Sequence, residues 1–347
     1  MNDEVWQQLL SLESRDIVSG WFKCIHSREL NCRRTKEINS AAKQAREYFR
    51  NASGASYSVR PLLAFYGVAS LSRSLLLLLK RSGGEESLKG SHGLETVDWN
   101  TILSTDVAQG IRDLRELRIR TTSGLFSEFL AQTGNRICIH INSSSVEWEL
   151  PYTVPEPGVT ISFGDLLSRL PDLRKEVPGE AGGGLYARVQ NLTYDKGNGV
   201  AIEVGHQPFQ VFANDYLAEG FKYEAKDPYG SLTSDAANFG EHLPQFIHAY
   251  VHKTFGTIPD LYLCQPFSKD VRFSQLAITY MLSYILGMLV RYFPTHWMAL
   301  IQGDKGDALW PAINRIQQLV ENSFPELVVE LIQHTLKKAG EDQVEQK

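Results

Sequence analysis

The run from Leu62 to Leu79 constrains this chain more than any other. It is apolar on nearly every face, interrupted chiefly by Ser70, Ser72, Arg73 and Ser74. A helix hydrophobic all round has to be buried, so the run predicts the central helix of a bundle. The segment before it is patterned instead. Ile38, Ala41, Ala42, Ala45, Tyr48, Phe49 and Ala52 follow three-four spacing, which is one stripe of an amphipathic helix. Ser53-Gly54-Ala55-Ser56 ends that helix, and Pro61 suits the first turn of the next, where its missing N–H is not needed. Leu62–Leu79 and Leu276–Val290 both fall short of the roughly 20 predominantly apolar residues that a membrane span requires. Both read as buried core helices.

The chain of 347 residues has room for two or three structural units. The first 35 residues read as helical but weakly patterned. Past the loop Arg81-Ser82-Gly83-Gly84-Glu85-Glu86, the positions Val107, Ile111, Leu114 and Leu117 mark a further helix, and Phe126, Phe129 and Leu130 a short one before Gly134. The character then changes. Ile137 to Ile141 is β-rich, and Val146, Trp148, Leu150, Tyr152 and Val154 alternate at period two. Phe163 to Leu170 reads as a short helix capped by Ser162. Pro178 to Gly184 reads as a glycine-rich loop. Leu185–Tyr194, Val200–Val204 and Phe209–Phe212 read as strands, the first two joined by the tight turn Lys196-Gly197-Asn198-Gly199. Helices return with Pro244–Phe255, Phe273–Phe293, Leu309–Asn322 and Glu326–Leu336, the last opened by Pro325. The expected fold class is α+β, mainly α. It comprises an N-terminal helical bundle (1–134), a small antiparallel β insert (135–225) and a C-terminal helical bundle (226–347) that packs on the first.

The net charge of −5 provides no global field toward nucleic acid or an anionic membrane. The N-terminus is acidic and lacks the pattern of a secretory leader, and none of Cys24, Cys32, Cys138 and Cys264 forms a Cys-x-x-Cys pair. A reducing cytoplasmic setting is the expectation. No phosphate-binding P-loop, dinucleotide fingerprint, nucleophile elbow or kinase signature is present, which weakens the ATPase, dehydrogenase, hydrolase and kinase classes.

Five segments together resemble the bacterial YaaC-like family. They are Ala45-Arg46-Glu47-Tyr48-Phe49, Pro61 to Gly67, Gly90-Ser91-His92-Gly93-Leu94, Phe163 to Asp172, and Leu286 to Trp297 with its Arg291-Tyr292 and Pro294. The resemblance spans nearly the whole chain, and it implies architecture more than activity. The first 130 residues also look like a HEPN domain, a helical bundle of prokaryotic stress and phage-defence proteins. Active members are metal-independent ribonucleases that use an Arg and a His a few residues apart, paired across a dimer. The likeness therefore implies a homodimer and an RNA or nucleotide ligand; a protein partner is a further expectation, and neither membrane association nor a cofactor is expected. This chain departs from that spacing: ten residues separate Arg81 from His92, and two separate Lys89 from it.

His92 is the leading catalytic candidate, with Arg81 and Lys89. An imidazole titrating near neutrality can take a proton from a ribose 2′-hydroxyl or return one to a leaving oxygen. A nearby cation then offsets phosphate charge. Arg73, Ser91, Arg291 and Tyr292 are the ligand-binding candidates. The plain alternative is that His92 bonds a backbone carbonyl and its flanking glycines serve only a turn. Arg291 likewise suits a helix C-terminus without any ligand. Arg112, Arg115 and Arg118, with Arg120, could contact RNA phosphates, but interleaved with Asp113 and Glu116 they read more simply as a solvated helix face. His248 and His252 stand four apart after His242, and Cys24, His26 and Cys32 lie close in sequence. Neither group has a full ligand set, so no metal site is expected. Trp297 and Trp310 read as core aromatics. The function expected is ligand or partner binding by a YaaC-like cytoplasmic protein in stress or phage defence; the alternative is a HEPN-like ribonuclease using His92 as general acid–base.

Overall fold

The computed structural model describes residues 2–104, 106–136, 152–173, 175–176, 185–195, 199–211, 213–217, 220–235, 249–252, 260–268, 271–303 and 306–345. The chain forms two compact units. One gathers Met1–Thr133, Glu156–Phe163 and Leu276–Lys347; the other holds Gly134–Pro155 and Gly164–Gln275.

Helices dominate the first unit. Arg60–Leu79 is its central helix, with fourteen of its twenty residues buried and Pro61 in its first turn. It is the one helix among the described residues long and apolar enough by itself to cross a membrane, and its most apolar stretch is 72% buried. Cys32–Gly54 packs on it through the expected stripe, with Ile38, Ala41, Ala42, Ala45, Phe49 and Ala52 all buried. Gly67 permits the close approach, since a Cβ there would lie 2.8 Å from the Phe49 ring. From the C-terminal end come Gln275–Tyr292, Pro294–Gln302 and Trp310–Glu345. The first two meet at an angle of 104°. The last is a single helix with Pro325 inside it, where the sequence predicts two helices. Proline removes one intrahelical hydrogen bond, but the flanking Phe324, Leu327 and Val328 are all buried, and packing outweighs the lost bond. Trp297 is buried and donates from Nε1 to Tyr57 O at 2.9 Å, with its ring against Trp310.

A three-stranded antiparallel sheet, ordered β1 (Leu94–Val97), β2 (Arg118–Thr121) and β3 (Thr160–Ser162), completes this unit. It corrects the helix expected from Val107 to Leu117 with Arg118 on its face. The helix covers only Val107–Arg112 and tightens into a 3-10 turn over Asp113–Glu116. Arg118 and Arg120 then point outward from a strand whose Ile119 and Thr121 are buried. Arg118 pairs with Asp98 at 2.9 Å and Arg120 with Glu95 at 3.3 Å. The supposed arginine stripe is thus divided among a helix, a 3-10 turn and a strand.

The second unit is built on a six-stranded antiparallel sheet in the order β6-β7-β5-β4-β9-β8. Its strands are β4 (Tyr186–Asp195), β5 (Gly199–Gly205), β6 (Lys222–Glu224), β7 (Tyr229–Ser234), β8 (Ala249–His252) and β9 (Asp260–Cys264). The sheet continues past residue 225, because β7, β8 and β9 complete it. Two sequence expectations fail here. Phe209 lies in a short helix, His206–Gln210, with its ring in the core beside Val204 and Tyr216. Ala249–His252 is a strand paired with β9 rather than part of a helix to Phe255. Both were short apolar runs, which periodicity cannot assign. The expected strands over 137–151, the loop Pro178–Gly184 and the turn at 196–198 lie outside the described residues.

Two buried polar side chains stitch this unit together. Asn135 donates to Thr153 O (3.2 Å) and Arg272 O (2.9 Å) and accepts from Ser274 N (2.9 Å). Arg169, 3% exposed, donates to the carbonyls of Asp165, Gln265 and Pro266 at 2.8 Å each and lies over the Phe267 ring. A buried guanidinium satisfied by carbonyls is a scaffold element.

Candidate functional site

The Gly90–Leu94 loop is held by its backbone. The carbonyls of Ser91, His92 and Gly93 accept from the N–H groups of Leu125 (2.8 Å), Phe126 (3.0 Å) and Thr122 (2.9 Å). Two of those donors belong to the first turn of the helix Leu125–Gln132, whose N–H groups have no intrahelical partner. The loop therefore caps that helix. Gly93 adopts φ +78°, and a Cβ on it would stand 2.7 Å from Phe126 N. Gly93 thus serves a backbone crossing, while a Cβ on Gly90 would meet nothing within 4 Å, and the crossing presents the His92 side chain.

That side chain is half-buried, edge-on to Phe65 (centroids 5.2 Å apart) and Tyr284 (6.0 Å). Burial lowers its pKa below the ordinary histidine value, and the charges of Arg291 and Arg73 lower it further. Arg73 comes from the central helix and is half-buried, with no hydrogen bond or ion pair among the described residues. Arg291 is exposed, donates to the Tyr66 hydroxyl at 3.3 Å and lies over the Tyr292 ring at 5.0 Å.

Gln275–Tyr292 supplies the opposing wall. Tyr280, Tyr284, Gly287 and Arg291 fall at i, i+4, i+7 and i+11, one face of the helix. Gly287 lets that face approach the central helix, since a Cβ there would lie 2.9 Å from Phe65 Cβ. Tyr280 is fully buried and its hydroxyl has no hydrogen-bond partner among the described residues. Burial raises its pKa well above the usual phenol value, while the charge of Arg73 acts in the opposite sense. Burial, with smaller contributions from Tyr292 and Glu95, pushes Tyr284 up to about 12. Glu95 is itself paired with Arg120. Two cations therefore bear on one neutral imidazole beside protonated phenols, an arrangement suited to an anion.

A match to the family model described as YaaC-like Protein covers residues 21–332. The chain belongs to the YaaC-like family. No curated protein and no solved structure matches it. Arg73, His92, Tyr284 and Arg291 all fall inside the stretch that defines membership.

Within this family member the candidates divide. The structure brings His92, Arg73 and Arg291 together, with Tyr292 stacked on Arg291. It does not bring Arg81 to them, because Arg81 lines a cleft elsewhere, beside Arg28 and Arg34. Lys89 is exposed and donates to Ser123 Oγ at 2.7 Å, and Ser91 Oγ donates to Ser123 O at 2.7 Å. Tyr280 and Tyr284 escaped the sequence reading, although their spacing to Arg291 was a usable signal. His26 bonds Leu78 O at 3.0 Å and packs on Phe22. Cys24 lies against Leu336 O, and Cys32 is exposed. His242 and His248 lie outside the described residues. Among the described residues, no three His, Cys, Asp or Glu side chains gather in a way that could hold a metal.

Three histidines, His26, His92 and His296, have pKa values lowered chiefly by burial. A group with a depressed native pKa resists protonation in the folded state while the unfolded chain takes up the proton. Its contribution to stability is complete above the ordinary value of 6.5 and is lost as pH falls through the native pKa. Urea midpoints measured from pH 7.5 to 5 should therefore fall on acidification. The decline should be shallower in His296→Gln, and a flat profile would contradict the assignment.

Proposed function

We propose that this protein binds a phosphate-bearing nucleotide ligand at the cluster of His92, Arg73 and Arg291. The observation that carries the reading is the half-buried imidazole under the charge of two guanidiniums, one of which, Arg73, has no hydrogen bond or ion pair among the described residues. A guanidinium left without a carboxylate is a donor available to phosphate, and desolvation strengthens that attraction. A role in stress or phage defence rests on the HEPN-like resemblance of the N-terminal helices. Calorimetric titration with AMP and with a short oligoribonucleotide tests the proposal. Binding should weaken at least roughly tenfold in Arg73→Gln and in Arg291→Gln. By NMR, the His92 imidazole should titrate below 6.5 in the free protein and move upward when the ligand dianion binds. Absence of binding, or binding indifferent to both arginines, would sink the idea.

A second reading is favoured by the protonation state itself. A histidine whose pKa is lowered is neutral at pH 7 and can accept a proton. His92 would take it from a ribose 2′-hydroxyl as the 2′-oxygen bonds to phosphorus. The P–O5′ bond would break to leave a 2′,3′-cyclic phosphate, with the departing oxygen protonated by solvent. Arg73 and Arg291, rather than Arg81 or Lys89, would stabilise the phosphorane charge. Incubation with total RNA in EDTA, beside His92→Ala, decides the matter: no cleavage, or cleavage unchanged in the variant, excludes this nuclease.

A further inference from the structure

A cleft of about 260 Å³ lies where three pieces of the first unit meet. They are the start of the Cys32–Gly54 helix, the chain beyond the Arg60–Leu79 helix, and the residues that follow His26. Four arginines line it: Arg28, Arg33, Arg34 and Arg81. Arg34 is 4% exposed. Its Nε donates to Leu77 O at 2.9 Å and its Nη2 to Lys80 O, with the guanidinium over Phe22 at 5.0 Å. Its Nη1 has no hydrogen bond among the described residues. Arg28 and Arg81 are exposed, also with neither hydrogen bond nor ion pair there.

The acids of the cleft form no ion pair with Arg28, Arg34 or Arg81 among the described residues, although the charges of Glu37 and Glu86 bear on Arg34. Glu29 is taken by Lys23 at 2.5 Å. Glu37 accepts from Arg33 (2.8 Å) and from Glu85 N (3.1 Å). Glu86 accepts from Arg33 (2.8 Å) and from Gly84 N (3.0 Å). Arg33 thus ties two of the carboxylates to itself, each of which also accepts from a loop amide, and Arg28, Arg81 and the Nη1 of Arg34 are left without a direct partner among the described residues. The positive end of a 23-residue helix adds to the field. The volume lies just below the roughly 300–1,000 Å³ of drug-sized pockets, which suits a small ligand. Guanidinium forks match phosphate oxygens in pairs.

We propose that this cleft binds a small phosphomonoester, its phosphate held by Arg28 and Arg81 with Arg34 Nη1 as a third donor. The site is distinct from the His92 cluster and does not depend on that reading. It gives Arg81 a role as an anion ligand instead of a catalytic partner of His92. The test is calorimetry on the full chain with glycerol 3-phosphate, with inorganic phosphate as a second arm and glycerol as the neutral control. Saturable binding of the phosphomonoester is expected, weakened roughly tenfold or more in Arg28→Gln and in Arg81→Gln, and unchanged in Arg50→Gln, an exposed arginine outside both sites. Both substituted side chains are exposed, so thermal unfolding should match the parent. No saturable binding up to millimolar ligand, binding that survives both substitutions, or binding lost instead in Arg50→Gln would overturn the assignment.

Discussion

Glu321→Ala should lower the unfolding free energy of the first unit by roughly 3–5 kcal/mol, the usual cost of removing one partner from a buried ion pair. Glu321 is 3% exposed and lies in the long C-terminal helix; Arg60 opens the central helix. The contact is bidentate, with Arg60 Nε to Oε1 and Nη2 to Oε2 both at 2.6 Å. Gln317 Nε2 adds a third donor to the carboxylate at 2.7 Å, and Arg60 also lies over the Tyr57 ring. Alanine would leave a guanidinium whose side chain is only 19% exposed without its counter-charge. The double substitution Arg60→Met with Glu321→Leu removes both charges and should recover most of the loss, because well-packed apolar residues often replace such pairs at little cost. Urea denaturation followed by circular dichroism checks both. A loss below about 1 kcal/mol in Glu321→Ala would mean the pair behaves like a surface salt bridge.

This pair also shows where sequence reasoning stops. The helices of the first unit were legible because each carries its own periodicity: the stripe from Ile38 to Ala52, the uniformly apolar central run, and the proline that opens it. Nothing local to Arg60 or Glu321 indicated that residues 261 positions apart in sequence would meet. The β1–β3 sheet was hidden for a related reason. Its strands are three or four residues long, and Leu117 stood at a plausible helical position, so three-four spacing masked the alternation at Arg118–Thr121. The site was half legible. A histidine between glycines stood out and Arg73 and Arg291 stood among the ligand-binding candidates, yet its catalytic cations were sought nearby, at Arg81 and Lys89. The structure supplies cations from the central helix and from Arg291, while the nearer Arg81 lines a cleft elsewhere. Tyr280 and Tyr284 could have been found by extending the Arg291 face back by whole turns.

The second large effect concerns the crossing beneath His92. Gly124→Ala should destabilise the first unit by about 1–3 kcal/mol or more and displace the histidine. The backbone angle at Gly124 is extended, so the penalty is steric: a Cβ there would fall inside van der Waals distance of Gly93 N, Gly93 Cα and Ser91 Oγ. Two of those three atoms are main-chain atoms that a rotamer change cannot move. Relief requires the Gly90–Leu94 loop to lift away, which stretches the hydrogen bonds from Leu125 N and Phe126 N. It also shifts the imidazole from its edge-on contact with Phe65 and Tyr284. Released toward solvent, His92 should regain a pKa nearer the ordinary 6.5, since its depression comes first from burial. Gly20→Ala is the matched control. A Cβ there meets nothing within 4 Å, and alanine in a helix interior is favoured over glycine by about 1 kcal/mol. The two glycine-to-alanine changes should therefore move the urea midpoint in opposite directions, and only Gly124→Ala should alter the His92 titration. Equal and small effects from both would show that the crossing is loose and that the loop, with its histidine, is not held by it.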